Sequence, residues 1–178
     1  MKAMLRPMCY SAMAIAVAAS MLSGCNNDSK KKVGLDLAIN SFDISSPTGT
    51  NPESRAVQIN SGIEDGAFRI HWEIKATDIL YRADVYLSED GDWNDRDNKL
   101  LLSRNCGGAG MDCRGERMNI PCRFTNDNRI VCDTGDAKDT THIGGFLKTI
   151  PQTGYIVLRA CNAMLTACDD AAVKVEFQ

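Results

Sequence analysis

The chain has 178 residues, with 20 basic and 23 acidic side chains, a formal net charge of −3 and 6% aromatic content. A mildly acidic balance without a lysine- or arginine-rich face excludes the electrostatic footprint of a nucleic-acid-binding protein. The length suits a leader followed by one domain with a sizeable core.

At the N-terminus, Lys2 and Arg6 precede an apolar run from Ala12 to Leu22 that contains Ile15, Val17 and Met21. A run this short, with small residues behind it, reads as a secretory signal rather than a membrane span. Leu22-Ser23-Gly24-Cys25 then resembles the lipobox of bacterial lipoproteins. The resemblance implies cleavage after Gly24 and a diacylglycerol on Cys25, which would hold an extracytoplasmic domain to a bilayer. Asn26 stands where enterobacterial sorting places aspartate for inner-membrane retention, so the outer membrane is the expected address. Residues 1–24 are therefore the expected leader, 25–32 the lipidated cysteine and a polar tether, and 33–178 the folded domain. The tether Asn26–Lys32 reaches about 15 Å if flexible, and Lys30–Lys32 read as a solvated linker or a headgroup contact. Removing the leader takes Lys2 and Arg6 away, leaving 18 basic against 23 acidic side chains, a net −5.

Beyond the tether the pattern is period two, the mark of half-buried strands. Val33, Leu35, Leu37 and Ile39 alternate, as do Val57 with Ile59. Phe68, Ile70, Trp72 and Ile74 share one face, with Arg69, His71, Glu73 and Lys75 on the other. Further strands are expected over Ile79–Ser88, Tyr155–Asn162 and Val173–Phe177, with turns at Ser61-Gly62, Asp90-Gly91, Thr134-Gly135 and Gln152-Thr153-Gly154.

Six cysteines remain after Cys9 leaves with the leader and Cys25 is lipidated: 106, 113, 122, 132, 161 and 168. An even count in an exported chain predicts disulfides, and zinc is disfavoured because no CxxC pair occurs. Spacing points to neighbouring pairs Cys106–Cys113, Cys122–Cys132 and Cys161–Cys168. The turn-forming Asn126-Asp127-Asn128 lies midway in the second pair, and Met164-Leu165 midway in the third. Each short loop would contribute about 2.5 kcal/mol in the loop-entropy model. The expected fold is an all-β, immunoglobulin-like antiparallel sandwich of about seven to nine strands, with a disulfide-braced insertion over 104–132.

Ala83-Asp84-Val85-Tyr86-Leu87-Ser88-Glu89-Asp90-Gly91, followed by Leu100-Leu101, resembles a stretch of bacterial CARDB-like immunoglobulin-fold domains. Ile150-Pro151-Gln152-Thr153-Gly154-Tyr155-Ile156-Val157 is similar to the approach to strand F in those domains and in fibronectin type III. Arg159 departs from that pattern, because an inward aliphatic is usual there. The resemblance implies a recognition or spacer module without catalysis.

Sites for chemistry are sparse. His71 and His142 read as exposed sheet residues, and no GxSxG elbow or phosphate-cradling loop is present. The loop Asp90–Asn98 places oxygen ligands at alternate positions, so Asp90, Asp92, Asn94 and Asp97 form either a calcium site or a solvated polar turn. Trp93 inside that loop caps the sandwich edge or anchors a partner. Between Arg104 and Arg129 lie five arginines, and Arg114 and Arg117 on a cystine-stiffened segment are the second candidate contact. The expectation is a non-catalytic, lipid-anchored envelope module that binds a protein or a glycan, with a calcium-dependent structural or adhesion domain as the alternative.

Overall fold

The computed structural model describes residues 37–76, 80–107, 113, 117–135 and 137–178. The described residues fall in one compact unit. They form an all-β sandwich of ten strands: β1 Leu37–Ser45, β2 Val57–Ile59, β3 Ala67–Ala76, β4 Tyr81–Ser88 and β5 Lys99–Cys106, then β6 Arg117–Thr125, β7 Arg129–Asp133, β8 Lys138–His142, β9 Gln152–Asn162 and β10 Cys168–Phe177. One sheet has the order β1-β3-β6-β7-β8 and the other β2-β10-β9-β4-β5. Neighbours pair antiparallel except β2, which runs parallel to β10 with Val57 opposite Val175. Ten strands exceed the seven to nine expected, because polar β8 carries no apolar alternation to announce it.

The period-two runs supply the core. Ile70, Trp72 and Ile74 of β3 face inward, with Ile44, Phe42 and Ile39 of β1 opposite them in register. Keeping all three in register requires a bulge between Ile39 and Ser41, which inserts one residue into β1. From the second sheet come Ala83, Val85 and Leu87 of β4, Ile156, Leu158 and Ala160 of β9, and Val175 and Phe177 of β10. Phe124 of β6 meets Phe177 edge-on at 5.1 Å between centroids, tying the layers together. Val33 and Leu35 lie outside the described residues.

Two expectations are corrected. Residues 104–132 are not an insertion. Their described parts form the end of β5, all of β6 and most of β7, and β6 is the central strand of its sheet. Inward Met118, Ile120, Cys122 and Phe124 alternate with outward Arg117, Asn119, Pro121 and Arg123. The second correction concerns Gln152-Thr153-Gly154, which open β9 rather than turn before it. Gly154 is needed there because a Cβ would come within 2.5 Å of the Phe146 ring.

All three expected disulfides form: Cys106–Cys113, Cys122–Cys132 and Cys161–Cys168. Cys122 and Cys132 are directly opposed with 4.0 Å between Cα atoms, the spacing of a non-hydrogen-bonded pair. The adjacent Pro121 then turns its nitrogen toward β7. It has no N–H to give, and the β6–β7 ladder stops at Cys122.

Polar staples close both open edges of the sandwich. On one side the Ile39 amide donates to Asp169 Oδ2 at 2.9 Å, joining β1 to β10. On the other, buried Arg104 of β5 donates to Asp139 of β8, to Thr134 Oγ1 at 3.0 Å and to Ser103 O at 2.6 Å. Thr141 Oγ1 also donates to Leu100 O at 2.8 Å, from β8 to β5. An arginine on an inward position is retained because its charge and donors are matched.

Candidate functional site

The β4–β5 loop, Glu89–Asn98, folds through a series of side-chain-to-backbone bonds. Asp90 Oδ1 accepts from the Asp92 amide at 2.9 Å, Asp92 Oδ1 from the Asn94 amide at 2.9 Å, and Asp95 Oδ1 from the Asp97 amide at 3.2 Å. Each is an i to i+2 turn of the type that aspartate forms readily. The fully buried Ser88 hydroxyl lies 3.0 Å from both Asp90 Oδ1 and Asp92 O and accepts from the Gly91 amide at 3.1 Å. Asn98 Nδ2 closes the loop on Asp92 O at 2.6 Å. The Asp92 amide, and after it the Ser88 hydroxyl, holds the Asp90 carboxyl below its ordinary range.

This loop lies over the outer face of β9. Gly91 has φ +89°, and its Cα sits against the Tyr155 ring, which a Cβ would approach to 3.3 Å. Two residues on, the Trp93 ring stacks on the Arg159 guanidinium, 3.2 Å from Cζ to the ring centroid. Arg159 points outward because Ile156, Leu158 and Ala160 take the inward positions of β9, which explains its departure from an aliphatic pattern. Its cross-strand neighbours are Asp84 on β4 and Asp170 on β10.

Along the same face of β4 stand Arg82, Asp84 and Tyr86. Arg82 Nε donates to Asp84 Oδ1 at 2.8 Å, and that hydrogen bond, with the opposite charge behind it, raises the Arg82 pKa. Burial, reinforced by the Asp84 charge, pushes the Tyr86 phenol above its ordinary range. Asp84 is buried and bonded to Arg82, with Arg159 opposite it in the strand register and Tyr86 two residues along β4. The surface therefore offers stacking area, fixed donors and matched charge on a rigid sheet.

Among the residues proposed from sequence, Asp90, Asp92, Asn94 and Trp93 belong to this loop, as does Asp97 at its far side. Among the described residues, no three or more His, Cys, Asp or Glu side chains are placed to hold a metal ion. Arg117 lies elsewhere, on the outer face of the other sheet, where its Nε donates to Glu73 Oε2 at 2.8 Å. Arg114 and Cys25 fall outside the described residues. The remaining arginines of that segment do not converge. Arg104 is buried, Arg123 lies 3.6 Å from Asp65, and Arg129 lies 2.8 Å from Asp127. Arg69 and Arg123 line an open groove of about 1100 Å³ on that face, with Arg69 Nη1 bonded to Asn119 Oδ1 at 3.1 Å. His71 and His142 both lie on this outer face, and His71 Nε2 is 3.0 Å from Ser45 Oγ.

Sequence reasoning singled out Trp93 but missed Arg159 as its partner, and Asp84 and Tyr86 as residues beside that arginine. The available signal was a lone arginine inside an otherwise apolar strand. Among the described residues, no helix is long and apolar enough to cross a membrane. The chain matches no protein-family model and no curated protein.

Proposed function

We propose that this chain is a non-catalytic envelope lipoprotein, anchored through Cys25, whose sandwich recognises a protein partner with the face built from Trp93, Arg159, Asp84, Arg82 and Tyr86. The observation that carries the reading is the Trp93 ring held on the Arg159 guanidinium over a fixed sheet. Tryptophan, tyrosine and arginine dominate the energetics of protein interfaces, and ones already stacked lose little conformational entropy on binding. Two further features support it: the lipobox supplies an address, and the cystines suit an oxidising compartment. Calcium has no role in this reading, and titrating millimolar calcium into the protein is expected to give no heat.

Photo-crosslinking in the intact cell tests the proposal. A photoreactive residue at exposed Asn94 reports on this face, and one at Arg117 reports on the opposite sheet. The expected result is one discrete protein adduct from position 94, reduced about tenfold by Trp93→Ala, a loss typical of an aromatic hot spot. Glycan adducts from position 94 would change the partner class, and adducts from position 117 alone would overturn the assignment of the face.

A further inference from the structure

The start of β1, the end of β3, the start of β4, the end of β5 and the β9–β10 turn share one end of the sandwich. Leu37 opposes Ala76, and Tyr81 opposes both Cys106 and Asn162. At that end Leu80 is 47% exposed, Met164 83% and Leu165 59%, three of the six exposed large hydrophobic side chains among the described residues. The other three, Ile63, Leu100 and Ile150, precede or open β3, β5 and β9 at the opposite end, but this end holds the most exposed of the six, Met164. Leu80 and Leu165 line one shallow depression of about 370 Å³ with Tyr81, Arg82, Cys106 and Ala163.

The turn that displays Met164 and Leu165 is stiff. Cys161–Cys168 clamps its base, and Asn162 Oδ1 accepts from the Thr166 amide at 2.9 Å and the Ala167 amide at 3.3 Å. Leu165 adopts φ +56°, a left-handed conformation that disfavours residues bearing a Cβ by about 1–2 kcal/mol. A braced hairpin therefore holds a strained leucine and a methionine out in solvent, an arrangement that core packing does not require.

Connectivity says what lies nearby. Twelve residue steps separate Cys25 from Leu37, so the chain spans at most about 40 Å extended and about 20 Å on average if flexible. Strands here run up to 11 residues, so the two ends of the sandwich are about 35 Å apart. The average reach is shorter than the sandwich, so a lipid on Cys25 favours contact of the β1 end with the bilayer over contact of the opposite end.

We propose that Leu80, Met164 and Leu165 rest in the interfacial layer of the bilayer that holds the Cys25 lipid, forming a second membrane contact that orients the domain. The proposal rests on the anchoring reading above. The orientation stands the strands upright and presents the Trp93–Arg159 face sideways, along the membrane, to a neighbour anchored in the same leaflet.

Fluorescence quenching tests the contact. The full chain with Met164→Trp is expressed in a bacterial host, purified from membranes and reconstituted into vesicles whose lipids carry bromine on the upper acyl chain. The parent chain, with Trp72 and Trp93, supplies the background. Mass mapping of the three cystines establishes that the variant is folded, and flotation with the mass of the Cys25 peptide establishes the anchor. The expected result is a floated, lipidated chain in which emission from the added tryptophan falls by roughly half, as interfacial insertion of 5–10 Å predicts. A floated chain whose added tryptophan is unquenched overturns the contact while leaving the anchor, and returns the tip to a second copy or a protein partner. A chain that does not float, with Cys25 unmodified, overturns both.

Discussion

The β6–β7 and β9–β10 hairpins carry the same covalent clasp, a disulfide between directly opposed residues with 4.0 Å between Cα atoms. Their surroundings differ. Cys122 and Cys132 point into the core beside Phe124 and Ile130, whereas Cys161 lies on the outward-alternating side of β9 at the end of the sandwich. The turns differ as well. Asn128 takes the left-handed position of the first at φ +57°, and Leu165 takes it in the second at φ +56°. Asparagine tolerates that conformation through its short polar side chain, while leucine is strained there. One hairpin is thus consistent at every level, which is what stability requires, and the other sacrifices local stability to expose two hydrophobic side chains. Such a departure is expected where a surface makes contact.

The largest effect should separate the two clasps. Replacing Cys122 and Cys132 together by alanine removes the loop constraint and leaves a void in the core. A loss of about 3–5 kcal/mol is expected, read as a lowered denaturant midpoint. Replacing Cys161 and Cys168 together removes the constraint at a strand end, where Cys161 is buried outside the main core cluster and Cys168 is half-buried, with an expected loss of about 2 kcal/mol. Equal losses would mean that both clasps act through the unfolded chain alone and that core burial adds nothing. Below these comes an exchange of turn residues. Leu165→Asn should raise stability by roughly 0.5–1 kcal/mol by relieving the left-handed strain, and Asn128→Leu should lower it by a similar amount. A Leu165→Asn chain no more stable than the parent would show that the leucine is held by contacts worth as much as its strain.

Legibility in the sequence followed whether a residue's local pattern matched its place. β3 and β10 could be read directly because every apolar residue of their alternation faces the core. The cystine pairs could be read because their partners are close in sequence and turn residues lie between them. The hairpin across Cys122–Cys132 could be read, but the first half of β6 was hidden although its alternation is regular, because outward Pro121 reads as a break. Gly154 misled in the same way: a glycine required by the approach of Phe146 looks like a turn. Arg104 read as surface charge because its partners, Thr134 and Asp139, lie 30 and 35 residues away. The Trp93–Arg159 stack was beyond local reading for the same reason, since only the register of β4 against β9 brings the two together.

Acid should also tell the hairpins apart, by the smallest effect. In the β6–β7 turn the Thr125 hydroxyl, aided by the Arg129 charge, holds the Asp127 carboxyl below its ordinary 3.8. A carboxyl with a lowered folded-state pKa contributes stability that is fully present above 3.8 and is lost as pH falls through the lowered value. The β9–β10 turn, Asn162–Ala167, contains no titratable side chain. Amide resonances of Asn128 and Arg129 should therefore shift as pH falls below that value, while those of Leu165 and Thr166 stay in place. Asp127→Asn should abolish the first shift without moving the second. Simultaneous shifts at both turns would show that acid loosens the sandwich as a whole, and the two hairpins would then report one global transition rather than two local ones.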